Sequence, residues 1–177
     1  MDERLWNGRL RDFKGLCTPP HPHGGGQRGK SLFLYRTGGD WERRYDTDKS
    51  VSLSVFEKAR RFGPDIIVWR LLENCSCDNF NGPLYEEKCK ELIDYVNLKE
   101  SRNVIITTSF WKHPGSRFSR RVAAEKGYAL VELEQYGEMD EMKALGKFTH
   151  EGVANHPGDR GMQAIAEAIW QPMQKNK

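Results

Sequence analysis

Pro64-Asp65-Ile66-Ile67-Val68-Trp69-Arg70-Leu71-Leu72-Glu73-Asn74 carries a continuous apolar run, Ile66 to Trp69, directly after a Gly63-Pro64 helix stop. Four apolar residues without polar alternation predict a parallel-sheet strand covered on both faces. Upstream, Leu53 to Phe62 has helical spacing and is expected to bury Val55, Phe56, Ala59 and Phe62. Downstream the alternation repeats. Leu84 to about Val96 sets Tyr85, Cys89, Leu92 and Val96 on one helical face, and Val104 to Thr108 reads as a second buried strand. Phe118 to Glu125 reads as a shorter helix, Ala129 to Val131 as a third strand, and Arg160 to about Gln174 as the closing helix. Strands alternating with helices at this spacing imply crossover connections, hence a parallel sheet in a three-layer α/β domain. The working loops of such sheets lie beyond the carboxyl ends of the strands. Here they are residues 71–83, 109–117 and 132–157.

The 177 residues, 37% hydrophobic and 30% charged, suit one soluble domain with a sizeable core. No run of 18 apolar residues occurs and the first residues lack an apolar signal segment, so no membrane association is expected. A cytoplasmic location follows if Met1 is the true start. The net charge of +3 is too small to point to nucleic acid. That charge is uneven: residues 1–36 hold seven basic and three acidic side chains, +4, and the other 141 residues carry −1. Cys17, Cys75, Cys77 and Cys89 have no C-x-x-C spacing, so reduced thiols are expected, although an even number also admits one bridge.

Residues 1–37 read as an irregular, basic, Gly/Pro-rich segment, and the domain is expected over residues 38–177. Within the first segment, Leu32 to Tyr35 supplies at most one short strand. Gly24-Gly25-Gly26-Gln27-Arg28-Gly29-Lys30-Ser31 satisfies the phosphate-loop pattern G-x-x-x-x-G-K-[ST]. That loop works only between a buried strand and a helix N-terminus. Pro19-Pro20-His21-Pro22-His23 precedes it and Leu32-Phe33-Leu34-Tyr35 follows, so both flanks are wrong and a nucleotide-binding protein is the weakest reading. His21-Pro22-His23 lacks a third metal ligand placed by spacing.

Near the other end, Thr149-His150-Glu151-Gly152-Val153-Ala154-Asn155-His156-Pro157-Gly158-Asp159-Arg160-Gly161-Met162 puts a histidine in a Gly/Pro-rich loop before a helix. In that helix Met162, Ile165, Ala166 and Ile169 recur at i, i+3, i+4, i+7. His156 is so placed either to face a cleft or only to shape the start of the helix, with Asp159 capping and Pro157 setting the turn.

Taken together, the Pro64 to Asn74 stretch and His156-Pro157-Gly158-Asp159-Arg160-Gly161 resemble the SGNH (GDSL-type) hydrolases. The resemblance runs from about Gly38 to Trp170 and includes Asp40-Trp41-Glu42-Arg43, Ser109-Phe110-Trp111 and Ala144-Leu145-Gly146-Lys147-Phe148. It implies a flavodoxin-like α/β sandwich that hydrolyses esters, often acyl groups on carbohydrates or lipids, with a serine nucleophile after the first strand. Carried over residue by residue, it implies His156 as the catalytic base and Asn74 as the oxyanion-hole amide of a Gly-x-Asn-Asp block. Leu72 stands where that block has glycine, Cys75 where it has aspartate, and Val153 where an acid precedes the histidine by three residues. Glu151, at a different spacing, is the acid that could orient His156.

The nucleophile itself is missing. No Gly-Asp-Ser or Gly-Asn-Ser followed by a hydrophobic segment occurs, and Ser31, Ser76, Ser109, Ser116 and Ser119 have no nucleophile-elbow surroundings. Reading Glu3 to Thr37 one nucleotide out of frame, with synonymous codons chosen freely, yields a peptide similar to the second segment of one SGNH subgroup. That segment continues into a stretch like Gly39 to Arg43, so residues 1–37 are expected to be frame-shifted and the first strand lost. The resemblance therefore implies an inactive homologue of an enzyme for small-molecule or carbohydrate esters, with no cofactor and no metal. An exposed sheet edge and self-association are expected with it. A non-catalytic carbohydrate- or ester-binding α/β protein is the alternative.

Overall fold

The computed structural model describes residues 32–100 and 103–175. The phosphate-loop pattern, His21, His23, Cys17 and nearly all of the segment expected to be frame-shifted lie outside them. The helices are α1 (Gly39–Glu42), α2 (Glu57–Phe62), α3 (Gly82–Val96), α4 (Ser116–Lys126), α5 (Glu134–Gly137), α6 (Glu151–Ala154) and α7 (Asp159–Lys175). Short 3-10 turns at Leu53–Phe56 and Asp140–Met142 precede α2 and follow α5. Strands β1 (Ile67–Trp69), β2 (Val104–Thr107) and β3 (Ala129–Val131) form one parallel sheet in the order β1-β2-β3, flanked by helices. The alternation of strand and helix thus makes the α/β fold the spacing predicts.

The sheet register sorts the core. Ile67, Trp69, Val104 and Ile106 share a face and pack with Tyr85, Cys89, Leu92 and Val96 of α3 and Phe118 and Val122 of α4. Ile105 and Val131 face the other way and pack with Ile165 of α7, joined by Phe110 and Leu133. Central β2 is buried at every position, as a strand between two neighbours and two helical layers must be.

Edge strand β1 departs from expectation. Val68 is 42% exposed and Ile66 36%, because α7 packs over β2 and β3 and leaves β1 uncovered on that face. A strand with one neighbour and one clothed face buries alternate residues. The helix expected over 53–62 likewise begins as a 3-10 turn, and Val55 and Phe62 are exposed where burial is expected; only Phe56 is buried, with Ala59 partly so. Its stop is as read, since Gly63 takes the left-handed conformation at the end of α2. Leu32 to Tyr35 form no strand and are exposed. No helix among the described residues is long and apolar enough to cross a membrane.

Candidate functional site

Beyond the carboxyl end of β1 the chain turns sharply at Leu72, whose φ is +109°. A side chain rarely accepts that conformation, and holding one there costs on the order of 1–3 kcal/mol. This is the position where the resemblance leads one to expect a glycine. Two things hold Leu72 there. Its amide donates to Glu42 Oε1 at 2.5 Å, and its fully buried side chain fills the space that a Cβ at Gly115 would need.

Glu42, on α1, is 4% exposed. Besides the Leu72 amide, its carboxylate accepts from Asn74 Nδ2 at 2.8 Å and from Asn74 N at 3.4 Å. The amide oxygen of Asn74 accepts from Arg43 Nη1 at 3.4 Å, and Arg43 is itself tied to Asp40 at 2.9 Å. A carboxylate can only accept and a guanidinium only donate, so the pair fixes which way the exposed Asn74 amide points. One N–H of that amide is spent on Glu42. The second is left for another acceptor.

Glu73 sits between these residues. It accepts from Arg70 Nη2 at 2.7 Å and from the Phe110 amide at 3.2 Å. Burial raises its carboxyl pKa above the ordinary value and Glu42 adds to the rise, against Arg70, the Phe110 amide and His156. Burial likewise pushes the Cys75 thiol up, with Glu42 beside it, which keeps it protonated and unreactive. Cys75, Cys77 and Cys89 are free thiols.

His156 stands in the loop before α7. The loop that carries it is pinched at its base, where Lys143 and Pro157 form an antiparallel bridge and Ala144 N donates to His156 O at 2.9 Å. The exposed imidazole sets Nδ1 2.6 Å from Gly152 O. A carbonyl only accepts, so Nδ1 carries a proton, and in the neutral ring Nε2 presents its lone pair. Glu151 begins α6 and is exposed, and its backbone oxygen accepts from Asn155; the group on Nδ1 is the Gly152 carbonyl. Asn74 and His156 therefore lie at one end of the sheet. Glu73, next to Asn74, is within electrostatic reach of His156, and Trp111, next to Phe110, packs its ring on the imidazole.

Ser109, Ser116 and Ser119 are buried, and Ser109 Oγ accepts from Trp111 N at 3.3 Å. Exposed Ser76 lines a small cavity with Glu42, Arg43, Tyr45, Asn74 and Phe80, in whose wall His156 takes no part. Among the described residues no group of three or more His, Cys, Asp or Glu side chains is placed to hold a metal. Sequence reading missed Glu42 as a site residue, although it quotes the Asp40 to Arg43 stretch. Comparison of the chain with known protein families, with curated proteins and with solved structures found no match.

One more histidine supports the site from behind. His113 Nδ1 accepts from Gly115 N at 2.9 Å, so its other nitrogen carries the proton and donates to Cys75 O at 3.3 Å. Burial lowers its pKa below the usual histidine value. A depressed folded pKa contributes stability that is complete above the unfolded value of about 6.5 and is lost as pH falls through the folded one. Glu73, raised, has the opposite sign, its contribution being present at low pH and lost as pH rises through its folded value. Urea unfolding from pH 8 to 5 is therefore expected to show a decline in stability below about pH 6.5 that His113→Gln removes. Parallel profiles for the two proteins would contradict the neutral, doubly bonded ring.

Proposed function

We propose that the chain is a homologue of the SGNH (GDSL-type) ester hydrolases that has lost its serine nucleophile and is inactive as written. The observation that carries this reading is an asparagine amide clamped by Glu42 beyond the carboxyl end of β1, next to Glu73, which feels the charge of His156, whose Nδ1 is bound by Gly152 O. In that reading His156 takes the nucleophile's proton and the free Asn74 N–H holds the tetrahedral oxyanion. The full fold is a flavodoxin-like three-layer sandwich whose first strand lies outside β1, and the substrate is a small-molecule or carbohydrate ester. Retention of the Leu72 turn despite the loss of glycine supports it, because that turn is what aims Asn74.

The test is to sequence the DNA upstream of Met1, move the frame, and express the longer polypeptide. A Gly-x-Ser block followed by esterase activity that His156→Ala abolishes is expected. Upstream DNA with no such block, or a longer polypeptide with the block and no activity, overturns the reading. The small cavity lined by Asn74, Ser76 and Arg43 also favours a second one, in which that cavity binds a carbohydrate or ester without turnover. Saturable binding by the chain as written, lost in Asn74→Ala, distinguishes it.

The uncovered edge of β1 adds a partner to this proposal. Among the described residues Val68 and Ile66 stand beside a strand with one partner only, the arrangement that recruits a second chain. Concentration-dependent self-association is expected by sedimentation velocity, reduced several-fold in Val68→Lys. A wild-type chain that stays monomeric at high concentration would rule it out.

A further inference from the structure

We infer that Trp111 is the positioning residue for His156, an assignment that rests on the reading of His156 as the base. The chain leaves β2 through Thr108, Ser109 and Phe110, all at most 1% exposed, so Trp111 is the first residue of that loop to reach the surface. Its mount is rigid. Phe110 lies in the core with Ile105, Leu133 and Ile165, its ring meets the indole edge-on at 5.5 Å, and the Phe110 carbonyl presses so close to α5 that Gly137 has no room for a Cβ.

From this mount Trp111 holds His156 twice. The indole Nε1–H donates to Asn155 O at 3.1 Å, fixing the backbone one residue before the histidine. The two rings meet at 85° with centroids 5.0 Å apart, the perpendicular contact that sets the positive edge of one ring against the π face of another. The loop needs such a hold. In residues 145–156 only Ala154 is buried, and α6 has a single turn. With Trp111 in place, the imidazole stays where Gly152 O selects the Nδ1–H tautomer and leaves Nε2 open.

The tautomer provides the readout, since a merely structural tryptophan would not set it. Nitrogen NMR of histidine-labelled protein at pH above the histidine range, with the His156 signals assigned by His156→Gln, is expected to show the Nδ1–H form and ring-current-shifted carbon-bound protons in the wild type. In Trp111→Leu the population of that form is expected to fall several-fold as the ring exchanges with the Nε2–H form, and the ring-current shift to vanish. Trp111→Phe, which keeps an aromatic ring but not the N–H bond, is expected to fall between. His113 signals, unchanged, report that the fold persists. A folded Trp111→Leu with unaltered His156 signals overturns the inference; should that variant fail to fold, unaltered signals in Trp111→Phe do so. A wild-type His156 in the Nε2–H form defeats the base reading itself, which is a different result from an indifferent Trp111.

Discussion

Purified as written, the chain is expected to leave p-nitrophenyl acetate hydrolysis no faster than exposed histidines would make it. In the neutral ring His156 Nε2 can take a proton, but among the described residues no serine is hydrogen-bonded to it to give one up. Ser109, Ser116 and Ser119 are buried, and Ser76 lines a cavity of which His156 is no part. In serine hydrolases, removing the serine costs about a millionfold in kcat, because the remaining groups have no covalent intermediate to stabilise, and the proposed reading puts this chain in that state. Asn74 alone could polarise a bound carbonyl, an effect that survives loss of the nucleophile at a small fraction of the full rate. The measurement is steady-state hydrolysis with His156→Ala beside the wild type. Saturable, enzyme-like turnover that this substitution abolishes would show that another group attacks the carbonyl, and the inactive reading would fall.

The fold was legible wherever burial on both sides left a local signature. Val104 to Thr107 and the Tyr85, Cys89, Leu92, Val96 face of α3 stand as their periodicity implies. Val68, Val55 and Phe62 were not legible, because an apolar residue is buried only if a neighbour arrives to cover it, and whether one does depends on distant parts of the chain rather than on local spacing. The same division runs through the site. His156 and Asn74 sit in short stretches whose residue order carries the pattern. Glu42 and Trp111 act across 32 and 44 residues of sequence, on Asn74 and Asn155, so no spacing reveals them. Leu72 is the instructive case, since a leucine there takes a backbone conformation that ordinarily favours glycine. There the surrounding contacts specify the turn more strongly than the side chain opposes it.

Glu42 is what makes that possible, and Glu42→Ala is expected to cost about 3 kcal/mol or more in urea unfolding, since each buried donor left without its acceptor costs roughly 1–3 kcal/mol. Three donors depend on this carboxylate: the amides of Leu72 and Asn74 and the side-chain nitrogen of Asn74. Leu72 is wholly buried, so water cannot easily replace its partner, whereas exposed Asn74 recovers part of its loss from solvent. Glu42→Gln separates the two effects. It keeps one acceptor oxygen for the Leu72 amide but turns an NH2 group toward Asn74 Nδ2, donor against donor, so its stability should fall less while the Asn74 amide is freed to rotate. Arg43 alone would then orient Asn74, through a single long bond on an exposed side chain. Amide-proton NMR of Asn74 is expected to show two distinct, slowly exchanging signals in the wild type and faster exchange in Glu42→Gln. If Glu42→Ala unfolds within 1 kcal/mol of the wild type, a margin ordinary for substitutions away from such networks, the clamp is not what holds the left-handed turn at Leu72, and that turn must come from the packing of Leu72 against Gly115.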